Sequence, residues 1–180
     1  MINKNNDYKM PIVLIGNSFK YEIESICKLF FHTARFNFTE DITEAQGESY
    51  IIAECEISGD NMRLSVTIRL NGDTPETEEK SLPENTEKRT AEHELCRLIY
   101  HILCRKTGVS APWGLMTGIR PVKKVTELMA QGLSRQEIEK TLSERYELSP
   151  NKLALAYETA VNQQPILDSI DTSAASLYVS

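Results

Sequence analysis

The sequence predicts an α+β fold, a two-layer β-α-β-β-β-α unit followed by a small helical segment. Three patterns predict this fold. The N-terminal part has a short apolar run and two longer strand-like stretches, and segments with apolar residues at helical spacing accompany these strands. The C-terminal part has mainly helical patterns. The chain has 180 residues, 41% of them hydrophobic, which suffices for one substantial core or two small ones. We predict an α+β domain over 1–110, a loop with three helices over 111–170, and the start of a further domain over 171–180.

The α+β domain is predicted to begin with a buried strand and a helix. Residues 12–15 form a continuous apolar run, typical of a short strand, and Gly16 interrupts it. Apolar residues then recur at helical spacing over 19–30, and Ser18 is a residue type that caps helices. An extended strand is predicted over 35–39.

The clearest strand pair is 50–57 with 62–70, joined by Ser58-Gly59-Asp60-Asn61, which is typical of a hairpin turn. Apolar and polar residues alternate along the second strand, which predicts one buried face and one face toward solvent. The apolar positions are Met62, Leu64, Val66, Ile68 and Leu70.

An acidic segment over 71–87 follows the strand pair. It contains two prolines and several glutamates, and it offers little apolar surface to bury. We therefore predict a mobile acidic linker. A long helix is predicted next, from about Thr90 to Thr107, with Gly108 ending it.

The long helix carries two His/Cys pairs, His93-x-x-Cys96 and His101-x-x-Cys104. A His and a Cys three positions apart on a helix can together offer two ligands to one metal ion. His93 and Cys104 are about 16 Å apart along the helix axis, so one ion cannot use all four side chains. The alternative is a packed or exposed helix face of His93, Cys96, Tyr100 and Cys104, opposite the apolar one. We predict this alternative, no metal site, and reduced, mostly buried thiols at the four cysteines.

The C-terminal helices have clear start signals. Pro121 suits a first helical position, and the helix is predicted to end near Gly132. Ser134-x-x-Glu137 is a capping box for the next helix. Ser149-Pro150 begins the third, running to about Ile170. Residues 177–179 begin a strand-like run that stops at once, so we expect the chain to be part of a longer protein.

Composition disfavours two classes of partner. The net charge of −6 is unsuited to neutralising phosphates, and a recognition helix in the last predicted helix would carry Lys152 against Glu158 and Asp168. No apolar run approaches the roughly 20 residues of a membrane span, and the polar N-terminus lacks a signal-peptide pattern. We predict a cytoplasmic protein with no nucleic-acid and no membrane partner.

Residues 112–124, Pro-Trp-Gly-Leu-Met-Thr-Gly-Ile-Arg-Pro-Val-Lys-Lys, predict a shaped loop that holds the only tryptophan. Three interpretations stay open. Arg120, Lys123 and Lys124 bind a carboxylate or phosphate; Trp113 and Arg120 anchor a domain interface; or Trp113 fills the core and Arg120 caps the preceding backbone. The candidate interface or substrate-facing residues are Trp113, Thr117, Arg120 and Lys123, and none is predicted to be catalytic or cofactor-binding.

The motif Pro-Trp-Gly-x-x-Thr-Gly-x-Arg-Pro-x-Lys, at 112–123, resembles a signature of the oxygen-independent coproporphyrinogen III oxidase-like radical S-adenosylmethionine proteins, in their coproporphyrinogen dehydrogenase branch. Other segments are similar to the same family: Tyr-Glu-Leu-Ser-Pro-Asn-Lys at 146–152, Asn-Gln-Gln at 162–164 and Ser-Leu-Tyr-Val at 176–179. The resemblance is close over about 90–180 and loose over 1–85.

The resemblance implies a parent oxidoreductase of heme and porphyrin biosynthesis, which oxidatively decarboxylates the propionates of coproporphyrinogen III to give protoporphyrinogen IX. The parent's 4Fe–4S cluster and S-adenosylmethionine belong to a catalytic domain entered through a Cys-x-x-x-Cys-x-x-Cys loop, which this sequence does not contain. The chain is then an accessory N-terminal domain with no cofactor and no activity of its own. Its implied partners are that catalytic domain and, as a candidate, coproporphyrinogen III. A free-standing protein-interaction module and a DNA-binding regulator, which the acidic balance disfavours, remain as alternatives.

Overall fold

The computed structural model describes residues 9–168, and the predicted start of a further domain at 171–180 lies outside them. The chain divides into two compact units, 1–111 and 112–180. Each unit is described by itself below.

Within the described residues, the first unit contains a five-stranded mixed sheet and two α-helices. In chain order the elements are β1 (Lys9–Ile15), α1 (Lys20–Cys27), β2 (Arg35–Thr39), β3 (Tyr50–Ser58), β4 (Asn61–Arg69), β5 (Glu76–Pro83) and α2 (Lys88–Thr107). The strand order is β2-β1-β3-β4-β5. β1 pairs in parallel with β2 and β3, whereas β3, β4 and β5 pair antiparallel. The α+β prediction is confirmed, with one strand more than expected.

The core of this unit lies between the sheet and α2. The buried face predicted for β4 is confirmed, because Met62, Leu64, Val66 and Ile68 are buried. The opposite face is only in part open to solvent: Arg63 is exposed, but Ser65 is buried. α2 packs against β4, and its fully buried side chains face that interface. They are Leu95, Ile99, Ile102 and Leu103. Burying each such side chain stabilises the fold by about 1.5–3 kcal/mol before the entropy cost of ordering the chain.

The prediction of a mobile acidic linker over 71–87 is wrong, because residues 76–83 form the edge strand β5. Its ladder with β4 runs from Glu76 opposite Ile68 to Pro83 opposite Asn61. Its acidic side chains find partners on α2: Arg105 Nε lies 2.6 Å from Glu76 Oε1. The prediction rested on the composition of the segment alone. The hydrogen bonds that make it a strand are formed with β4, and the cation that pairs with Glu76 lies on α2.

In the first unit the end of α2 follows a local signal, whereas the start of α1 does not. Gly108 ends α2 in the left-handed conformation, as predicted, at φ 68°. Ser18 was predicted to cap α1, but the N-cap residue is Phe19 and makes no side-chain capping bond. The Phe19 N–H instead donates to Asn17 Oδ1 at 3.3 Å.

The second unit contains three helices around a small apolar core, as predicted. They are α3 (Pro121–Ala130), α4 (Arg135–Tyr146) and α5 (Pro150–Asp168). The most deeply buried core side chains come from all three helices and are Val125, Ile138 and Ala156. Pro121 occupies the start of α3, and the predicted capping box of α4 is present in full.

Replacing Ser134 with alanine should lower the free energy of unfolding by about 1 kcal/mol at neutral pH, since the N-cap hydroxyl satisfies an otherwise orphaned N–H. The Ser134 hydroxyl accepts from the Glu137 N–H, and the Glu137 carboxylate accepts from the Ser134 N–H at 2.8 Å. Urea unfolding followed by Trp113 fluorescence measures the effect. Ser143→Ala, an exposed change inside the same helix, is the matched control and should change stability by less than about 0.5 kcal/mol.

The same capping box predicts a pH dependence. Hydrogen bonds from the Ser134 hydroxyl and N–H lower the pKa of Glu137 below its ordinary value of 4.5. A carboxyl group with a lowered folded pKa stabilises the fold above its ordinary pKa, and this stabilisation is lost as the pH falls through the folded value. The difference between wild type and Ser134→Ala should therefore narrow below pH 4.5. A difference that stays constant into acid would contradict the role given to Glu137.

Candidate functional site

The loop that precedes α3 is fastened to the turn between α4 and α5. The Leu115 N–H donates to the Tyr146 carbonyl oxygen at 2.8 Å, and the Ser149 N–H donates to the Pro112 carbonyl oxygen at 3.0 Å. These two bonds join segments that are about thirty residues apart in the sequence. A loop fixed by backbone bonds in this way has few alternative conformations, so its side chains are held in place.

Gly114 is required by this close approach. Its φ is +52°, a region that residues with a side chain rarely adopt. A Cβ atom at this position would overlap the carbonyl oxygen of Tyr146 and lie 2.6 Å from that of Glu147. The glycine therefore allows the loop backbone to reach the turn after α4.

Trp113 and Thr117 lie on the inner side of the loop. The Trp113 ring is half-buried and packs against the core of the second unit. The Lys152 ammonium lies 5.0 Å from the centre of the ring, within the range of a cation–π contact. Thr117 is half-buried, and its N–H donates to the Leu115 carbonyl oxygen at 2.9 Å. These contacts match the interpretation in which Trp113 fills the core.

The predicted loop over 112–124 ends at Arg120, because α3 begins at Pro121. Arg120 and Lys123, which lies in the first turn of α3, are both exposed. Arg120 is the N-cap residue of α3. Within residues 9–168 its guanidinium donates no hydrogen bond to the preceding backbone, so the interpretation in which Arg120 caps that backbone gains no support. The Lys123 N–H donates to the Arg120 carbonyl oxygen at 3.1 Å, which places the two cations within one turn. Ile119, next to Arg120, is 45% exposed. We call Ile119, Arg120 and Lys123 the cationic edge.

The cationic edge and the neighbouring Lys124 differ in whether their charged side chains form ion pairs. Lys124 Nζ lies 2.9 Å from Glu127 Oε2, and this bond, with smaller effects of the Lys124 and Lys123 charges, lowers the pKa of Glu127. Within residues 9–168, by contrast, neither Arg120 nor Lys123 forms an ion pair. The two side chains are thus available to a carboxylate or phosphate group from outside the chain.

The His/Cys face of α2 is covered. Cys96 and Tyr100 are buried, whereas His93 and Cys104 are half-buried. The Tyr100 hydroxyl accepts from the Ala111 N–H at 3.2 Å, and its ring lies 5.7 Å from that of Phe30. In the part of the chain that the structure describes, no group of three or more His, Cys, Asp or Glu side chains is placed to hold a metal ion.

The thiols of Cys27 and Cys96 should be inert in the native protein. Burial, with a smaller effect of the Glu92 and Glu22 charges, raises the pKa of Cys96 to about 12. Burial also raises the pKa of Cys27. The thiolate is the reactive form. Burial raises the pKa of Cys55 as well, but Cys55 and Cys104 are only half-buried, so we expect iodoacetamide at pH 8 to modify these two first.

Peptide mass spectrometry of a time course measures the alkylation, and the urea-unfolded protein, in which all four thiols should react at similar rates, is the control. Early modification of Cys96 in the native protein would contradict its burial.

Two features of the site were not predicted from the sequence. The ring contact of Lys152 with Trp113 joins residues 39 positions apart, and neither has a local signal for the other. The tight approach of Gly114 to Tyr146 had a partial signal, a glycine after Pro-Trp, but nothing in the sequence named the partner.

Comparisons with known proteins add no family. No protein-family model matches the chain, and no curated protein matches it. Among the helices that the structure describes, none is long and apolar enough to cross a membrane. The class that the structure defines is an α+β protein with a five-stranded mixed sheet and a separate three-helix unit.

Proposed function

We propose that this chain is the accessory N-terminal region of a cytoplasmic radical S-adenosylmethionine protein of the coproporphyrinogen dehydrogenase type. One observation carries the proposal. The two segments with the closest resemblance to that family, 112–123 and 146–152, contact each other through the Leu115–Tyr146 and Ser149–Pro112 bonds and the Lys152–Trp113 contact. Segments that form one structural unit are expected to resemble a family together, whereas a chance likeness has no reason to fall on both.

The cationic edge is the surface that we propose to face the catalytic domain. An exposed isoleucine beside two cations without an ion pair in residues 9–168 has the character of an interface, where arginine and apolar side chains are enriched. A second role at the same place is an electrostatic contact with the carboxylates of coproporphyrinogen III. Both roles need Arg120 and Lys123 to be accessible, as they are.

The cysteines of this chain do not fit the cluster of such an enzyme. Iron–sulfur clusters are held by several neighbouring thiolates, whereas burial raises the pKa of both Cys27 and Cys96. The described residues include no group of three potential ligands. We therefore assign the 4Fe–4S cluster, the S-adenosylmethionine and every step of the oxidation to the catalytic domain, and a docking role to this chain.

Anaerobic reconstitution with iron and sulfide tests the proposal. The longest natural form of the protein and the 180-residue chain are compared by cluster absorbance and by reductive cleavage of S-adenosylmethionine. We expect a cluster and cleavage in the long form and neither in the chain alone. A long form without a cluster would refute the proposal and favour the interaction module, with the cationic edge as its binding surface.

Charge reversal tests the role of the cationic edge within the long form. We expect Arg120→Glu with Lys123→Glu to expose the interface, measured as faster hydrogen exchange on the opposing surface and a lower rate of coproporphyrinogen III conversion. The matched control is Lys140→Glu, an exposed change on α4. Unchanged exchange with a raised KM would favour the substrate contact instead of the interface.

A further inference from the structure

The first unit contains a crevice of about 700 Å³ at the carboxyl end of β1. β1 ends at Ile15, opposite Glu54, while β3 continues to Ser58 and turns into β4. The β3–β4 hairpin therefore projects beyond β1 and forms one wall. The start of α2 forms another wall. The volume is that of a small-molecule site, and the carboxyl ends of parallel strands are a common place for one.

The crevice is lined mainly by apolar side chains. Ile57 and Met62 face each other across the β3–β4 ladder, and Leu14, Phe19 and Ala91 are among the other apolar residues of the lining. Ile57 is 59% exposed, although it lies on the same face of the sheet as the core. An exposed isoleucine beside a cavity is a surface that an apolar ligand would remove from water.

One cation, Lys88, stands at the crevice, and its charge acts on the carboxyl of Glu92, four residues along α2. Lys88 Nζ donates to Ser18 Oγ at 3.2 Å and lies 5.7 Å from the centre of the Phe19 ring. No ion pair of Lys88 occurs within residues 9–168. Lys80, in contrast, pairs with Glu94 at 2.6 Å. Lys88 and Ser18 together can hold one anionic group, because an ammonium and a hydroxyl are both donors.

The floor of the crevice is rigid. Asn17 Nδ2 donates to the Ala53 carbonyl oxygen at 2.8 Å, which ties the end of β1 to β3. Gly16 has φ +66°, and a Cβ atom there would overlap the carbonyl oxygen of Cys55. A site that is formed before the ligand arrives avoids the entropy cost of ordering it.

We propose that this crevice binds a small amphiphile with an apolar chain and a single carboxylate. The carboxylate accepts from Lys88 Nζ and Ser18 Oγ, and the chain lies along Ile57 and Met62. Glu40, the one acidic residue in the lining, repels a second negative charge and so selects a monoanion over a dianion.

Decanoate is the probe, titrated into the 180-residue chain and followed by calorimetry and by amide chemical shifts. We expect shifts concentrated at residues 14–19 and 55–62, and much weaker binding of decanol, which lacks the charge. Lys88→Met should weaken decanoate binding about ten-fold, the loss of one charge-assisted hydrogen bond. Arg89→Met removes the same charge from the next position of α2, outside the crevice, and should leave binding within about two-fold.

Ile57→Glu is a second variant, chosen because the exposed position tolerates a polar side chain. It places a carboxylate on the apolar wall and should abolish decanoate binding. Shifts outside the crevice, equal binding of decanol, or equal affinity of the Lys88→Met and Arg89→Met variants would each overturn the proposal. The crevice and the cationic edge lie in different units, so either result is independent of cluster formation in the long form.

Discussion

Replacing Gly114 with alanine is expected to lower the free energy of unfolding of the second unit by about 3 kcal/mol. Two costs combine: alanine resists the φ of +52°, and its methyl group overlaps the Tyr146 carbonyl oxygen. The atoms nearest to the added methyl group are the carbonyl oxygens of Tyr146 and Glu147. They belong to the backbone, which cannot move aside as a side chain can. Urea unfolding followed by fluorescence measures the loss, because Trp113 is the only tryptophan and lies in this unit.

Gly132→Ala is the matched control for that experiment. Gly132 also has a positive φ, +81°, but no atom lies within 4 Å of the place where its Cβ would stand. Only the conformational cost remains, about 1 kcal/mol. If the two variants lose equal stability, the contact of the loop with the α4–α5 turn is not what requires Gly114, and the loop is less firmly fixed than its hydrogen bonds indicate.

Replacing Ile99 with alanine is expected to lower the free energy of unfolding of the first unit by about 2–5 kcal/mol. Ile99 is fully buried in α2, which packs against β4. The change removes the transfer free energy of the lost carbons and leaves a cavity that the neighbours fill only in part. Hydrogen exchange of the β4 amides under native conditions measures the loss in this unit.

Val109→Ala serves as the control for Ile99→Ala. It also removes methyl groups from a β-branched residue, but Val109 is 52% exposed. Its effect should stay within about 0.5 kcal/mol. A loss at Ile99 no larger than that at Val109 would mean that α2 does not carry the core of the sheet.

Local patterns predicted most of the secondary structure because their physical causes are local. The alternation along β4 and the apolar face of α2 each depend on residues two to four positions apart. The capping box of α4 and the left-handed Gly108 are likewise settled by side chains within one turn. No distant partner is needed for any of these features, so the sequence alone suffices to predict them.

The failures have the opposite cause. β5 has no apolar pattern of its own, and its partners lie outside it: the backbone of the preceding strand β4, and Arg105 on α2, 29 residues from Glu76. The N-cap of α1 is Phe19 instead of Ser18, and the Phe19 N–H donates to Asn17, whose side chain donates to the Ala53 carbonyl oxygen 36 residues away. A strand at a sheet edge and a turn at a sheet end are both stabilised by tertiary contacts.

The candidate site divides in the same way. Proline and glycine fix backbone geometry locally, so the sequence suffices to predict a shaped loop after Pro112 that carries Trp113 and Arg120, although this loop ends at Arg120 and not at residue 124. That Trp113 packs against the core beside Lys152 while Arg120 and Lys123 stay exposed depends on contacts between distant segments, which the sequence does not show. The tertiary structure alone also formed the crevice beside Lys88, since its walls come from strands and helices that the chain brings together only on folding.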